Sequence, residues 1–479
     1  MLRQYWRSSF PQERSFQRVT EIVTALLAGT TRKTIAATIE FRGKDQGDWS
    51  ADYRVFTQSP WRSDGLFRGV LEAGLPLLKP DEAVILALDD TAIDRTSPAL
   101  KSSGARWCHD PLAPVFVHPA LKWGIPMLHA ALLLPPNGSK RPTALTVAFE
   151  PILGKPPKRE KPKDGDARPK KGRPRKEVAP IVPLGPGFDL PPDAPFSEIK
   201  TPPIATVLAV QIIRRIRGWL DEFGITRKLL VVVDSSYCNR TVIEGLPERT
   251  ELVGRTRMDA KLYRPLATKC GKQIYGLPLP TPKEIGEDTS YPEVSGKFTF
   301  ACDNYPVRYK EACPVLWKNG TKARPMRLLV LQPIRHGPMG KRGYRRFGYL
   351  LSTDLSEQAE VLIQAYLSRW EIEVLHRALK ADIGIGDSQC NKASAKIYGA
   401  VAAGFAMLTL ASILATGEVR SAMHHQLPKW QQNHRRWREA KRRKEGRPMP
   451  VYRATVRDNV TLLRMGLGLP WRNGISKRR

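Results

Sequence analysis

The segment 366–380, YLSRWEIEVLHRALK, carries a phenol, a guanidinium, a carboxylate and an ammonium at Tyr366, Arg369, Glu373 and Lys380. No Gly or Pro interrupts it and its apolar residues recur at helical spacing, so a helix is expected. With Tyr366 at zero, Arg369 falls at about −60°, Glu373 at about −20° and Lys380 at about −40°. The four side chains share one stripe, and Glu371 points about 140° away from it. Taken alone, such a stripe also describes a solvated face laced with i,i+4 ion pairs. What gives it chemical meaning is a set of carboxylates elsewhere. Asp89 and Asp90 end one apolar run of strand length, and Asp234 ends another. Neighbouring carboxylates need a cation, and oxygen ligands with open positions suit Mg2+ or Mn2+. With Glu373 from a crossing helix as third ligand, such a group can hold two metal ions for in-line displacement at phosphorus.

These residues require particular elements to position them. AVILALDDTAI (83–93), LHAALLL and ALTVAFEPIL read as strands, and IATVLAVQIIRRIRGWLDEFG as an amphipathic helix closed by Gly224. KLLVVVDSS is a further buried strand, so the order describes a mixed α/β sheet. Open sheets of this class place their sites at the C-terminal strand ends, where all three aspartates fall. Residues 1–80 read as short helices with basic residues between them, suited to a DNA-binding bundle or to a helical cap on the next domain. Residues 250–348 alternate short strands and turns and are expected to form a β-rich insertion domain. The uncharged stretch 397–417 is long enough to span a bilayer, but its Ala and Gly content favours a buried core helix.

The net charge of +32 is far from that of an ordinary enzyme and calls for a polyanionic partner, nucleic acid ahead of a membrane surface. It is also localised: segments 154–178 and 418–479 carry +7 and +13. The first is Pro-rich, low in complexity and unable to bury enough surface to fold alone. Its KKGRPRK stretch, with Lys170, Lys171, Arg173 and Arg175, resembles an AT-hook, and non-specific phosphate contact is the stronger expectation. A second GRP stands at Gly446, Arg447 and Pro448. The six cysteines have no CxxC spacing, and His109, His118 and His129 near Cys108 do not repeat at ligand spacing. No zinc site or disulfide framework is expected, and the absence of an apolar signal core at the start argues for the cytoplasm.

The spacing Tyr-x2-Arg-x3-Glu-x6-Lys at Tyr366, Arg369, Glu373 and Lys380, with DDT at 89–91 and VVVDSSY at 231–237, resembles the DDE transposases of insertion sequences. The resemblance spans roughly 83–417 and implies an RNase H-like core. Asp89, Asp234 and Glu373 would hold two Mg2+ or Mn2+ ions for DNA cleavage and strand transfer at the ends of a mobile element. The D-x-T pattern favours Asp89 over Asp90 as first ligand. Tyr366, Arg369 and Lys380 would grip backbone phosphates, and Trp317 in the β-rich block would be available to stack a flipped base, if it is not simply packed. The implied layout is a helical DNA-binding region (1–80), a first core part (81–249) with a basic insertion (154–200), the β-rich insertion (250–348), a second core part with the catalytic helix (349–417) and a basic tail (418–479). The implied partners are the double-stranded DNA of terminal repeats and target, with a homodimer assembled on DNA at the nucleoid. Two alternatives stay open: a nuclease on the same core that joins no strands, and a non-catalytic DNA-binding derivative.

Overall fold

The computed structural model describes residues 1–29, 32–96, 104–110, 119–136, 141–154, 204–266, 273–300, 303–318, 320–321, 323–333, 335–336, 342–344, 347–388 and 394–414. It also describes a helix over Lys429–Lys444 and four isolated positions beyond it. The basic residues Lys170, Lys171, Arg173 and Arg175 lie outside the described residues.

The first strands are β1 (Val84–Asp94), β2 (Arg106–His109), β3 (Leu121–Leu134), β4 (Thr143–Pro151), β5 (Leu229–Val233) and β6 (Thr250–Arg255), and β-branched residues are most concentrated in β5. β3 pairs antiparallel with β1, β2 and β4, whereas β5 runs parallel to both β1 and β6. All five residues of β5 are buried, as both-faced coverage of a parallel strand requires. The helix α6 (Ala205–Glu222) precedes β5, and its apolar positions at helical spacing, Leu208, Ile212, Ile216 and Leu220 among them, are buried.

The block from 250 onward is not separate from this sheet. Beyond β6 it supplies β7 (Leu262–Pro265), β8 (Tyr275–Pro278), β9 (Glu293–Phe300), β10 (Asp303–Trp317), β11 (Pro325–Leu331), the two-stranded β12 (Arg335–His336) and β13 (Arg342–Tyr344), and β14 (Gly348–Ser352). One path of hydrogen-bonded neighbours runs β2-β3-β1-β5-β6-β14-β11-β10-β7-β8, and the whole sheet has 12 strands. The strands of the block extend the core sheet edgewise because β14 pairs with both β6 and β11.

The first 77 residues form α1 (Leu2–Trp6), α2 (Glu13–Ala28), α3 (Ile35–Phe41), α4 (Ser50–Thr57) and α5 (Ser63–Gly74), ending in a short 3-10 turn. They pack on the sheet through a late helix, Ser394–Leu414, which touches α2, α5 and β4. Glycines make this approach close. A Cβ at Gly404 would come within 2.3 Å of Val23, and one at Gly69 within 2.3 Å of the Tyr5 carbonyl. Within this helix Ala395–Leu414 is long and apolar enough to cross a membrane, yet 78% of its most apolar stretch is buried inside the protein.

The signature segment is bent. The helix Ala359–Ser368 (α9) gives way at Arg369 to Trp370–Arg377 (α10), through a turn tightened by hydrogen bonds from Arg369 N–H to the Tyr366 carbonyl (3.1 Å) and from Ile372 N–H to the Arg369 carbonyl (2.9 Å). A π turn follows over Ala378–Asp382, closed by Ile383 N–H on the Ala378 carbonyl. Such turns are uncommon and cluster at functional sites. Glu371 faces away from the other charges, as its helical angle requires. It is not solvated but 4% exposed, held by Arg141 with Nε and Nη2 at 2.7 and 2.5 Å from Oε1.

Removing one member of such a buried pair strands the other charge. Arg141→Ala should therefore lower unfolding stability by about 3 kcal/mol, and Glu371→Gln by less. Urea unfolding of both variants checks this; wild-type midpoints for both would mean the pair contributes nothing.

Candidate active site

Parallel pairing of β1 with β5 runs from Val84 opposite Leu229 to Ala87 opposite Val232. Two further steps bring Asp89 level with Asp234, at the C-terminal edge of the sheet. Asp234 is fixed by its own turn: Oδ1 accepts the N–H groups of Ser236 (2.9 Å) and Tyr237 (3.3 Å). Its other oxygen has no hydrogen-bond partner among the described residues. Asp89 Oδ1 accepts the Asp90 N–H at 2.9 Å.

Arg369, at the tightened turn, joins β1 to α10. Nη1 donates to Asp89 Oδ2 and Nη2 to Glu373 Oε1, both at 2.8 Å. Asp89 and Glu373 are thus brought together through a shared guanidinium, whose carbon lies 6.0 Å from the centre of the Tyr366 ring. Even so, burial together with the charges of Asp234 and Asp90 outweighs Arg369 and pushes the Asp89 carboxyl up to about 6. Asp90, one residue on, points to the opposite face of β1, where the Tyr237 hydroxyl bonds to it. Its carboxyl is also raised, by desolvation and by Asp234. The position of Tyr237, three residues after the strand-ending Asp234, is the sequence signal for this contact.

Lys380 sits in the π turn, its ammonium destabilised by burial and by Lys122 and supported by Asp94, Asp110 and Asp90. Behind Arg369 lies an uncharged wall. His129, paired with Asp89 across β3 and β1, stacks at 4.9 Å on His376, and burial drives both imidazoles toward the neutral form. His376 is pushed down to about 3, with Lys380 and Arg369 adding to the effect of burial. His129 Nε2 meets the Thr146 hydroxyl at 3.0 Å, so this histidine is a core residue. Trp317 is remote from this centre. It ends β10, three strands beyond β6, and its ring packs so closely on Gly320 that a Cβ there would lie 1.8 Å from it.

A family model described as DDE superfamily endonuclease matches residues 8–324, which include β1, β5 and both aspartates. The chain belongs to the DDE superfamily endonucleases. A second model, described as archaeal putative transposase ISC1217, matches residues 323–423, the part that holds Arg369 and Glu373. No curated protein matches the chain. The two families together mark a transposase-type DNA-cleaving enzyme that acts on DNA, and DDE nucleases normally use divalent metal ions.

The donor chemistry of this DDE endonuclease fits such an ion. Asp89 and Asp234 offer hard oxygen ligands at one level of the sheet, and the Asp89 carboxyl is raised first by burial and then by the neighbouring carboxylates Asp234 and Asp90, whose charge a cation there would offset. Among the described residues no three His, Cys, Asp or Glu side chains are gathered closely enough to hold a metal as they stand. Arg369 occupies the space between two of the candidates.

Charging Asp89 is disfavoured in the fold. Its contribution to stability is complete below the ordinary carboxyl value of 3.8 and is lost as pH rises through about 6, a loss of about 3 kcal/mol. In chelator, the melting temperature of the wild type should fall relative to Asp89→Asn between about pH 4 and pH 7, and Mg2+ should restore the wild type alone. Parallel melting curves across that range would show that Asp89 does not carry this burden.

Proposed function

We propose that the chain is a transposase of the insertion-sequence type, in the group with the Tyr-x2-Arg-x3-Glu-x6-Lys signature, which cuts DNA at the ends of a mobile element and joins them to a target. The observation that carries this reading is the level placement of Asp89 and Asp234, with Glu373 tied to Asp89 through Arg369. The antiparallel strands β1, β3 and β4, with the short β2 added beside β3, followed by the parallel β5 and β6, with α6 leading into β5, support an RNase H-like core. The region 1–80, the β-rich insertion 250–348 and the basic segments 154–200 and 418–479 would serve DNA binding around that core, on a homodimer assembled on DNA in the cytoplasm.

In this reading Asp89, Asp234 and Glu373 hold two Mg2+ or Mn2+ ions. Such ions supply Lewis acidity for in-line displacement at phosphorus. The protein's own groups do the positioning. Arg369 exchanges its carboxylates for a backbone phosphate, Tyr366 flanks it, and Lys380 adds a cation further along the strand. The backbone N–H groups of Ser236 and Tyr237 hold Asp234 in one rotamer, and the His129–His376 pair, neutral through burial, adds no positive charge beside Asp89. The basic segment leaves β4 level with Thr91, two residues past Asp89, and α6 runs back toward the start of β5.

Glu373→Gln keeps the shape of the side chain and removes its charge, so cleavage of DNA carrying the terminal repeats should fall to background while binding persists. Arg369→Ala should weaken both. Cleavage gels in Mg2+ beside gel shifts in chelator read the two effects, and an active Glu373→Gln enzyme would remove Glu373 from the site.

The tail carries +13, and each phosphate it neutralises adds about 0.9 to the slope of log affinity against log salt. Deleting 418–479 should flatten that slope in a filter-binding series; an unchanged slope would make the tail a structural appendage.

A further inference from the structure

Beyond Asp234 the same register places a cation that the signature does not include. β5 pairs with β6 up to Val233 opposite Gly254, so the next step sets Arg255 level with Asp234. Along the sheet edge the order is Asp89, Asp234, Arg255. Yet Arg255 is not paired with Asp234. Its exposed guanidinium makes no ion pair or hydrogen bond among the described residues, in contrast to Arg369, which is held by two carboxylates. Two phenols, Tyr366 and Tyr349, lie within its electrostatic reach, and burial raises the pKa of each, so both are uncharged and leave the guanidinium unbalanced.

Arg255 opens into a basin of about 660 Å³ that begins at Ser235, the residue after Asp234. Thr256, Met258, Lys283 and Tyr349 also line it. Thr256 is 5% exposed, and its buried hydroxyl has no partner among the described residues. The other cations are occupied: Arg257 by Asp259 at 2.8 Å, and Lys283 by Glu287 at 3.9 Å. A concave surface beside a cleavage centre, with one uncommitted guanidinium and a spare hydroxyl, is suited to an oxyanion of a polymer that passes through the site.

We propose that this basin seats a backbone phosphate of the DNA strand next to the one held at the carboxylates, with Arg255 as its ligand and positioning residue. The inference rests on the reading of that edge as a DNA-cleaving site. It places the strand running from Asp89 past Asp234 toward β14, over the flank opposite to β3.

The test uses the full chain and a short fluorescein-labelled DNA duplex in chelator, where no cleavage intervenes. Arg255→Ala should weaken binding and reduce the salt slope by about one, whereas Arg255→Lys should keep the slope. Arg257→Ala, whose cation is already paired, should leave the slope unchanged. Met258→Glu is a second variant at a position 57% exposed, which puts negative charge into the basin without disturbing the core. It should weaken binding as Arg255→Ala does. Wild-type slopes and affinities for both Arg255→Ala and Met258→Glu would overturn the proposal. If they occurred while Mg2+ cleavage stayed normal, the basin alone would be at fault. A wild-type chain that neither binds nor cleaves the duplex would instead bring down the reading of the site.

Discussion

The parallel pairing of β1 with β5 is the constraint on which the rest depends. Four pairs, Val84 to Ala87 against Leu229 to Val232, set the level at which both strands end. A slip of one residue would exchange the two faces of β5 and take Asp234 out of line with Asp89. The register is protected by burial, since every residue of β5 and most of β1 up to Leu88 is inside. Apolar packing far from the chemistry thus fixes the charges at the edge. The same pairing continues through β6 into the later strands, so the block from 250 to 348 is held to the site by backbone hydrogen bonds rather than by a linker.

The electrostatics at that edge are divided by face. On one side of β1, Asp89 meets Arg369 and the uncharged His129–His376 stack; on the other, Asp90 meets the Tyr237 hydroxyl. Asp234 acts on both aspartates and raises the cost of charging each. Two adjacent carboxylates in one sequence stretch therefore have different surroundings. Alternation of side chains along a strand is enough to produce this.

Much of the site was legible in local patterns. An apolar run ending in Asp marks a strand that delivers a carboxylate to an edge, and helical angles separate Glu373 from Glu371. The long uncharged helix was legible as core from its Ala and Gly content. What was not legible depends on partners distant in the chain. The hairpins after residue 250 alternate like any separate β domain, and what joins them to the core, the pairing of β14 with β6 and the hydrogen bonds of Thr299 with Gln364 and of Tyr309 with Glu360, involves residues distant in the chain. Nothing in Ser368, Arg369 and Trp370 departs from good helix formers. The tightened turn there coincides with the residue whose side chain reaches two carboxylates, one of them 280 positions away. Burial of Glu371 likewise depended on Arg141, 230 positions away.

The shared guanidinium has a thermodynamic consequence. In the proposed reading, a phosphate bound at Arg369 and a cation bound at the carboxylates each weaken the hold of Arg369 on Asp89 and Glu373, because both draw on the same two hydrogen bonds. A phosphate that draws Arg369 away leaves the carboxylates unbalanced and more avid for a cation; a cation that takes the carboxylates leaves Arg369 more avid for phosphate. Linkage makes these two enhancements equal in magnitude, whichever ligand arrives first. In that reading one side chain would make the two halves of the proposed ligand set cooperative, without requiring any movement of the strands that carry them.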